Sequence, residues 1–467
     1  MRYRLDPNVE AFDDGRVLLG GDPTRLMRLS DAGARFVVSR LLAPSTPGER
    51  QLVERLADAS MAHPIAEPAG GVAAVVPVVI VPVKDRPEAL GLCLASLVAS
   101  GVREIVVVDD GSADAKAHAE VASRHGARLV RRGSSGGPSA ARMAGWRSLD
   151  PLPEIVAFVD SDVVVTLERW DALLVHFSAP ECGLVAPRVV HRPGPTAVDR
   201  YEALASPLDL GPDPAPIRAG SRVSYVPSAA VVVRSSAFEE VDGFDEALDV
   251  GEDVDLLWRL ADAGWLCRYE PAVTVVHEGR SKLPELLHRR FDYGRSAAVL
   301  DQRHPGALPP LRGSRWSGAV AVLVATGHPV LAAAVVVGNV EAMARKVGAI
   351  PDARRVASRL VVRGHLGFLR QAARALLRPW FPVTIVASLL SRRVRRVAAV
   401  ALLAEPIVTH RRRAESPSFL VWTALCWADD LAYSAGVWVG CVRARRFGPL
   451  LPDVRRWAGR SASGRQN

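Results

Sequence analysis

Between residues 75 and about 280, short β-branched runs alternate with segments of helical spacing. "VVPVVIVPV" and "EIVVVDD" are continuous apolar runs of the kind that fill strands buried on both faces of a parallel sheet. "PEALGLCLASLVAS" lies between them with helical spacing, and a second helix is expected near Ala113 to Ser123. "ARLVRR", a Gly-rich turn, the helix "SAARMAGWRSL" and the strand "EIVAFVD" follow. This order predicts an α/β sheet whose ligands bind beyond the carboxyl ends of the strands.

Those ends are polar. The first strand runs into Lys84, Asp85 and Arg86. The second ends in Asp109 and Asp110, with Gly111 and Ser112 allowing a tight turn. The third ends in Asp160, Ser161 and Asp162. One such aspartate alone reads more readily as a helix cap or an Asx-turn. Three acidic ends in one sheet converge on one crevice, where unpaired carboxylates are costly and a cation is required. Oxygen donors select Mg²⁺ or Mn²⁺ over zinc, and such an ion, held by one or two carboxylates and waters, grips a diphosphate. The stretch "RRGSSGGPSAARMAGW" lacks both the P-loop ending and the GxGxxG fingerprint; it places Gly136 and Gly137 at a helix start with Arg142 in the first turns. Glu252 and Asp253 open the periodic helix "DVDLLWRLADAGW", where acids suit the positive end of the dipole. Trp258, spaced with Leu257 and Leu260, reads as core, and His277 alone reads as an ordinary core or surface histidine.

Taken in order, "VIVPVKDRPEAL", "IVVVDDGSAD", "GGPSAARMAGW", "VAFVDSDV", "SAAVVVRSSAFEEVDGFDEAL", "GEDVDLLWRLADAGW" and "VVHEG" resemble the family 2 glycosyltransferases with the GT-A fold, over residues 76–300. The resemblance implies that Asp109 and Asp110 bind the uracil and ribose of a nucleotide sugar, with Pro82, Arg142, Asp160 and Ser161 also on the donor side. It implies that Asp162, joined by His277, holds the metal and diphosphate, and that Asp253 is the catalytic base with Glu252 as the fallback. Lys84 and Asp85 replace the usual aromatic or Asn pair, and Met143 replaces the Asn of the family's Ala-Arg-Asn.

Residues 1–65 precede that region as a small unit. "RVLLGG" predicts a strand ending in a turn. "RLSDAGARFVVSRLL" predicts a helix capped by Ser30 with a stripe of Ala34, Val37, Val38 and Leu41, and "TPGERQLVERLADA" predicts a second helix. "AHPIAEPAGGVAA" reads as a linker. The unit resembles the winged-helix modules that bind leader peptides, and its fusion to a family 2 catalytic region and a basic tail resembles the glycosyltransferases of mycofactocin systems. That implies an inverting enzyme adding hexose, as a β-1,4-linked glucose chain from UDP-glucose, to pre-mycofactocin, a redox cofactor precursor derived from a ribosomal peptide. The first unit is then expected to recruit that acceptor. The competing readings are a cell-envelope sugar transferase acting on a lipid or polysaccharide, and a non-catalytic membrane-bound peptide carrier. The N-terminal unit speaks against the first, and the retained Asp109, Asp162 and Asp253 against the second.

Charge divides the chain of 467 residues. Residues 301–467 hold 26 Lys and Arg against 8 Asp and Glu, a net of +18 where the whole chain carries +9, so residues 1–300 carry −9. Within this basic region Trp316–Val340 has no formal charge and is long enough for a membrane span, although Gly327, His328 and Pro329 interrupt it. "PWFPVTIVASLLS" is too short to span, and a third apolar stretch carries Asp429 and Asp430 at its centre, each costing about 2.5–3.5 kcal/mol in a bilayer. Arginine clusters at Arg392–Arg396, Arg411–Arg413 and Arg443–Arg446 flank these stretches. The expectation is a helical region, 301–467, lying on an anionic membrane surface, with the catalytic domain cytosolic at the cytoplasmic face. Nucleic acid is not an expected partner, because the apolar runs have no role there. The five cysteines form no CxxC pair, which suits a reducing compartment, and "MRYRLDPNVEAF" lacks the apolar core of a signal peptide.

Overall fold

The computed structural model describes residues 2–65, 77–165, 170–278, 282–348, 350, 352–411 and 416–455. The chain forms two compact units, Met1–Ser281 and Lys282–Asn467. The division falls before the long helix Leu283–Arg303, which belongs to the second unit, rather than after residue 300.

The first unit is built on a nine-stranded sheet. In spatial order its strands are Val163–Val165, Leu266–His277, Cys182–His191, Ala230–Arg234, Ile155–Val159, Val78–Val83, Ile105–Asp109 and Arg128–Arg131, with Ala215–Pro216 paired to Leu266–His277. Val78–Val83 runs parallel to both Ile105–Asp109 and Ile155–Val159. The chain therefore winds outward through three strands and returns to the other side of the first. The crevice at that reversal is where such sheets bind ligands. Ala230–Arg234 pairs antiparallel with Ile155–Val159 and makes the sheet mixed. Every residue of the Val78–Val83, Ile105–Asp109 and Ile155–Val159 strands is buried, as continuous β-branched runs demand. The helix Pro87–Ala99 contributes Leu90, Cys93, Leu94 and Leu97 to one core cluster against this sheet.

The N-terminal module of the same unit holds two three-stranded sheets and the helices Asp31–Val37 and Pro47–Asp58 around a core of Leu5, Leu18, Val37, Leu42 and Leu56. Ser30 caps the first helix through the Gly33 N–H, as expected. The helix stops at Val37, however: Val38 and Leu41 are exposed, and Leu41 begins a strand, so the apolar stripe is shorter than the periodicity predicts. Thr46 and Glu49 form a capping box on the second helix. Asp6 accepts from His63 at 2.8 Å and lies 3.6 Å from Arg222 of the catalytic region; the Asp22 carbonyl takes the Arg218 guanidinium. The expected linker lies largely outside the described residues.

The second unit is helical. Trp316–Val340 does not form one helix. It breaks into Arg315–Ala325 and Pro329–Val347 at Gly327, whose φ is +81°, with Pro329 starting the next helix. Among the described residues no single helix is long and apolar enough to cross a membrane. The bent pair Ala353–Leu377 and Phe381–Leu390, at 87°, meets the length and composition test only together. Asp429 and Asp430 sit in the helix Phe419–Ala444 and are paired inside the unit. Arg290 donates to Asp429 at 2.7 Å, and Arg378 lies 2.9 Å from Asp430 with its guanidinium over Tyr433. Leu283–Arg303 packs backbone to backbone on this helix: a Cβ at Gly436 would run into the Phe291 carbonyl oxygen.

Candidate active site

The three acidic strand ends do converge, and arginines join them. At the end of Val78–Val83 the turn is locked to the next strand's turn: the Asp85 N–H donates to Ser112 Oγ (2.9 Å) and the Ala113 N–H donates to Asp85 Oδ1 (2.8 Å). Pro82 is buried within that strand, opposite Val108. Gly111 has φ +71°, and a Cβ there would stand 2.8 Å from the Ser135 nitrogen, so the turn needs glycine.

Asp109 is fully buried. It takes the Ser112 N–H at 2.9 Å and the guanidinium of Arg131, its partner across the parallel register. Asp110 accepts from the N–H groups of Gly136 (3.1 Å) and Gly137 (2.9 Å) and from Ser135, and pairs with Arg132. Burial raises its pKa, but those donors and Arg132 overcome burial and hold the carboxyl below its ordinary value. Asp110 thereby fixes the start of the helix Gly137–Arg147, which carries Arg142. Sequence reasoning missed Arg131 and Arg132 as site residues. The signal was the pairing of "VVVDD" with "ARLVRR", which only the register makes readable.

Asp160, Ser161 and Asp162 form a tight turn closed by the Val163 N–H donating to the Asp160 carbonyl at 3.0 Å, with Ser161 buried between the two carboxylates. Val163–Val165 then pairs antiparallel with the end of Leu266–His277, Val163 opposite His277, and the Glu278 N–H donates to the Asp162 carbonyl. This pairing brings His277 Nε2 to 3.3 Å from Asp162 Oδ1. The other Asp162 oxygen accepts from Arg86 at 2.6 Å. Arg86 is a further member that sequence reasoning did not assign to the site.

Arg142 is 2% exposed and joins two motifs far apart in sequence. Nη2 donates to Asp160 at 2.6 Å, Nη1 donates to Glu252 at 3.1 Å, and the guanidinium lies 5.2 Å from the Phe244 ring centre. Its Nε has no hydrogen-bond acceptor among the described residues. Burial works against the charge, but Asp160 and Glu252 outweigh it and raise the pKa. Glu252 begins the helix Glu252–Asp262 after Gly251, whose φ of +86° turns the chain into the first helical residue. Asp253 accepts the Val254 N–H at 2.7 Å and the Ser228 N–H at 3.4 Å. Burial, followed by the neighbouring Glu252 carboxylate, pushes its pKa up to about 7. Trp258 is core, as its spacing predicts, with Nε1 donating to the Ser224 carbonyl.

Among the described residues no group of three His, Cys, Asp or Glu side chains is placed to hold a metal by itself. The Asp162 and His277 pair nevertheless fits a shared divalent ion. One oxygen and one nitrogen face each other at 3.3 Å, and an ion that keeps waters and takes diphosphate oxygens needs only one or two protein ligands.

The family model "Glycosyl transferase family 2" matches residues 78–240. The chain is 38% identical over 464 residues to the pre-mycofactocin glycosyltransferase of Mycobacterium tuberculosis, strains CDC 1551 and H37Rv, with 97% of each chain covered. The chain belongs to the mycofactocin-system family 2 glycosyltransferases. It is an enzyme of sugar transfer, and its nine-stranded mixed sheet is a GT-A core. A second relative, the N-acetylglucosaminyl-diphospho-decaprenol L-rhamnosyltransferase of M. tuberculosis, is 38% identical over 91 residues, 18% of this chain and 28% of that protein. Among solved structures, GalNAc-T7 with UDP, GalNAc and Mn2+ aligns with 14% identity and a TM-score of 0.35 over 51% of this chain and 54% of that one.

Removing the Arg142 charge leaves the buried Glu252 and the partly exposed Asp160 without their shared partner. Arg142→Met is expected to destabilise the protein by about 3–5 kcal/mol. Arg142→Lys recovers only part of that loss, because an ammonium lacks the planar fork that reaches both carboxylates. Chemical denaturation of the full chain and both variants measures the difference.

Proposed function

We propose that the chain transfers glucose from UDP-glucose, with inversion, to pre-mycofactocin, and extends it as a β-1,4-linked chain. The match that covers 97% of both chains carries this reading, because it takes in the N-terminal module and the helical unit. The rhamnosyltransferase match is confined to 18% of the chain, which weighs against a lipid-linked acceptor. The N-terminal module is assigned to recruiting the peptide-derived acceptor.

In the proposed reaction the acceptor oxygen forms a bond to the anomeric carbon as the bond from that carbon to the diphosphate oxygen breaks. Asp253 takes the acceptor's hydroxyl proton. Its pKa of about 7 matches a base working near neutrality. Glu252 is committed to Arg142, which favours Asp253 over the fallback. Asp162 and His277 would hold a divalent metal, Mg²⁺ or Mn²⁺, whose charge when bound offsets that gathering on the departing nucleoside diphosphate. Arg86 is placed beside the same carboxylate as a second cationic group for the diphosphate. Asp109 and Asp110, fixed by Arg131 and Arg132, form with Pro82 the donor base and ribose side; Asp160 and Ser161 line its diphosphate end.

Mass spectrometry of purified pre-mycofactocin incubated with enzyme and UDP-glucose tests the assignment. A ladder of hexose increments is expected, and an unmodified acceptor beside a glycosylated lipid would overturn it. In the same assay Asp253→Asn is expected to keep donor binding and lose transfer by about 10²-fold or more. Because a base acts only when deprotonated, wild-type kcat/KM should rise with pH and level off above an apparent pKa near 7. Asp162→Ala should abolish metal-dependent binding of UDP measured by calorimetry, and unchanged turnover in excess EDTA would remove the metal from the scheme.

A further inference from the structure

The second unit contains a short helix whose chemistry the sugar site does not use. Phe381–Leu390 has ten residues, "FPVTIVASLL", and no charge. Thr384 is its one fully buried residue, while Val383, Ile385, Val386, Leu389 and Leu390 are exposed, the last two at 76% and 85%. In a water-facing helix such positions are normally polar, so this face is unpartnered rather than part of the core.

The helix is also held rigidly. It leaves Ala353–Leu377 at 87°, and two indoles pin the bend: Trp438 Nε1 donates to the Pro379 carbonyl and Trp380 Nε1 to the Leu450 carbonyl, both at 2.8 Å. Directly after its exposed end, the helix Arg392–Arg411 opens with Arg392, Arg393, Arg395 and Arg396, all exposed. None of the four forms an ion pair among the described residues, and Arg395 donates only to the Ser388 carbonyl. Four unpaired cations at a helix N-terminus are unfavourable for the helix itself. They are favourable beside a negatively charged surface.

We propose that Phe381–Leu390 with Arg392–Arg396 is a mooring element for an anionic lipid bilayer. Ten helical residues span about 15 Å, half of a hydrocarbon core of about 30 Å, so the element enters one leaflet and does not cross. Leu389 and Leu390 insert among the acyl chains, and the arginines meet lipid phosphates at the boundary. Charge complementarity selects this occupant over a second copy of the chain, whose matching patch would carry the same four positive charges.

Sedimentation of the full-length protein with vesicles tests the proposal. Phosphatidylglycerol vesicles are expected to bind it at least tenfold more tightly than phosphatidylcholine vesicles. Leu389→Glu with Leu390→Glu, and separately Gln at all four arginines, should each weaken binding to phosphatidylglycerol at least tenfold, since each surface arginine strengthens attraction to anionic lipid and the second variant removes four. Leu389→Cys carrying an environment-sensitive dye should shift to shorter wavelength on those vesicles, which reports insertion without altering the helix charge. Equal binding to both lipids, unchanged binding of the variants, or an unshifted dye would overturn the assignment. A concentration-dependent dimer abolished by the double Glu variant, with vesicle binding intact, would give the face to a second copy instead.

Discussion

The buried Arg142 ion-pair bridge holds the catalytic architecture together. A single guanidinium at 2% exposure ties the Asp-Ser-Asp turn after one strand to the first residue of a helix about ninety positions later. Neither the buried Glu252 carboxylate nor the guanidinium is tolerable there alone, and the partly exposed Asp160 completes the bridge. Together they fix the distance between the donor side of the crevice and the start of the Glu-Asp helix. Asp110 anchors the other end of this arrangement, since its four donors hold the helix from which Arg142 projects.

The bridge separates two adjacent acids. Glu252 is paired with Arg142, while Asp253, part-buried beside that carboxylate, is pushed up to about 7 by burial and by the Glu252 charge. Two neighbouring side chains thus differ in their surroundings: Glu252 is tied to Arg142, and Asp253 is not. In the proposed reaction that difference gives Asp253 the acceptor's proton, and inversion follows from its being the single base.

Much of this was readable in the sequence. Buried parallel strands write themselves as unbroken β-branched runs, and each acidic end stood where the run stopped, so Asp109, Asp110, Asp160 and Asp162 were locatable without coordinates. The Ser30 cap and the Glu252 helix start were equally local. What stayed hidden depends on partners distant in the chain. Arg131 and Arg132 meet the aspartates only through strand register, whereas the pairing of His277 with Asp162 was expected from the family resemblance and is made by two antiparallel strands that end together. Arg86 stood at the polar end of the first strand, but its pairing with Asp162 depends on the neighbouring strand's turn. In the second unit Trp316–Val340 is apolar and long enough for one span, and the interruption expected at Gly327 and Pro329 is where the backbone splits. Asp429 and Asp430, costly in a lipid core, are resolved by Arg290 and Arg378, the latter contributed by a helix junction no periodicity marks.

The anomeric configuration of the first product tests the central claim most directly. Proton NMR of the glycosylated acceptor, made by the full-length enzyme from an α-linked nucleotide sugar, reads that configuration. One base acting from the face opposite the leaving group predicts a β-linked product throughout. An α-linked product would contradict the single-base account and require a second attack that the arrangement around Asp253 does not provide.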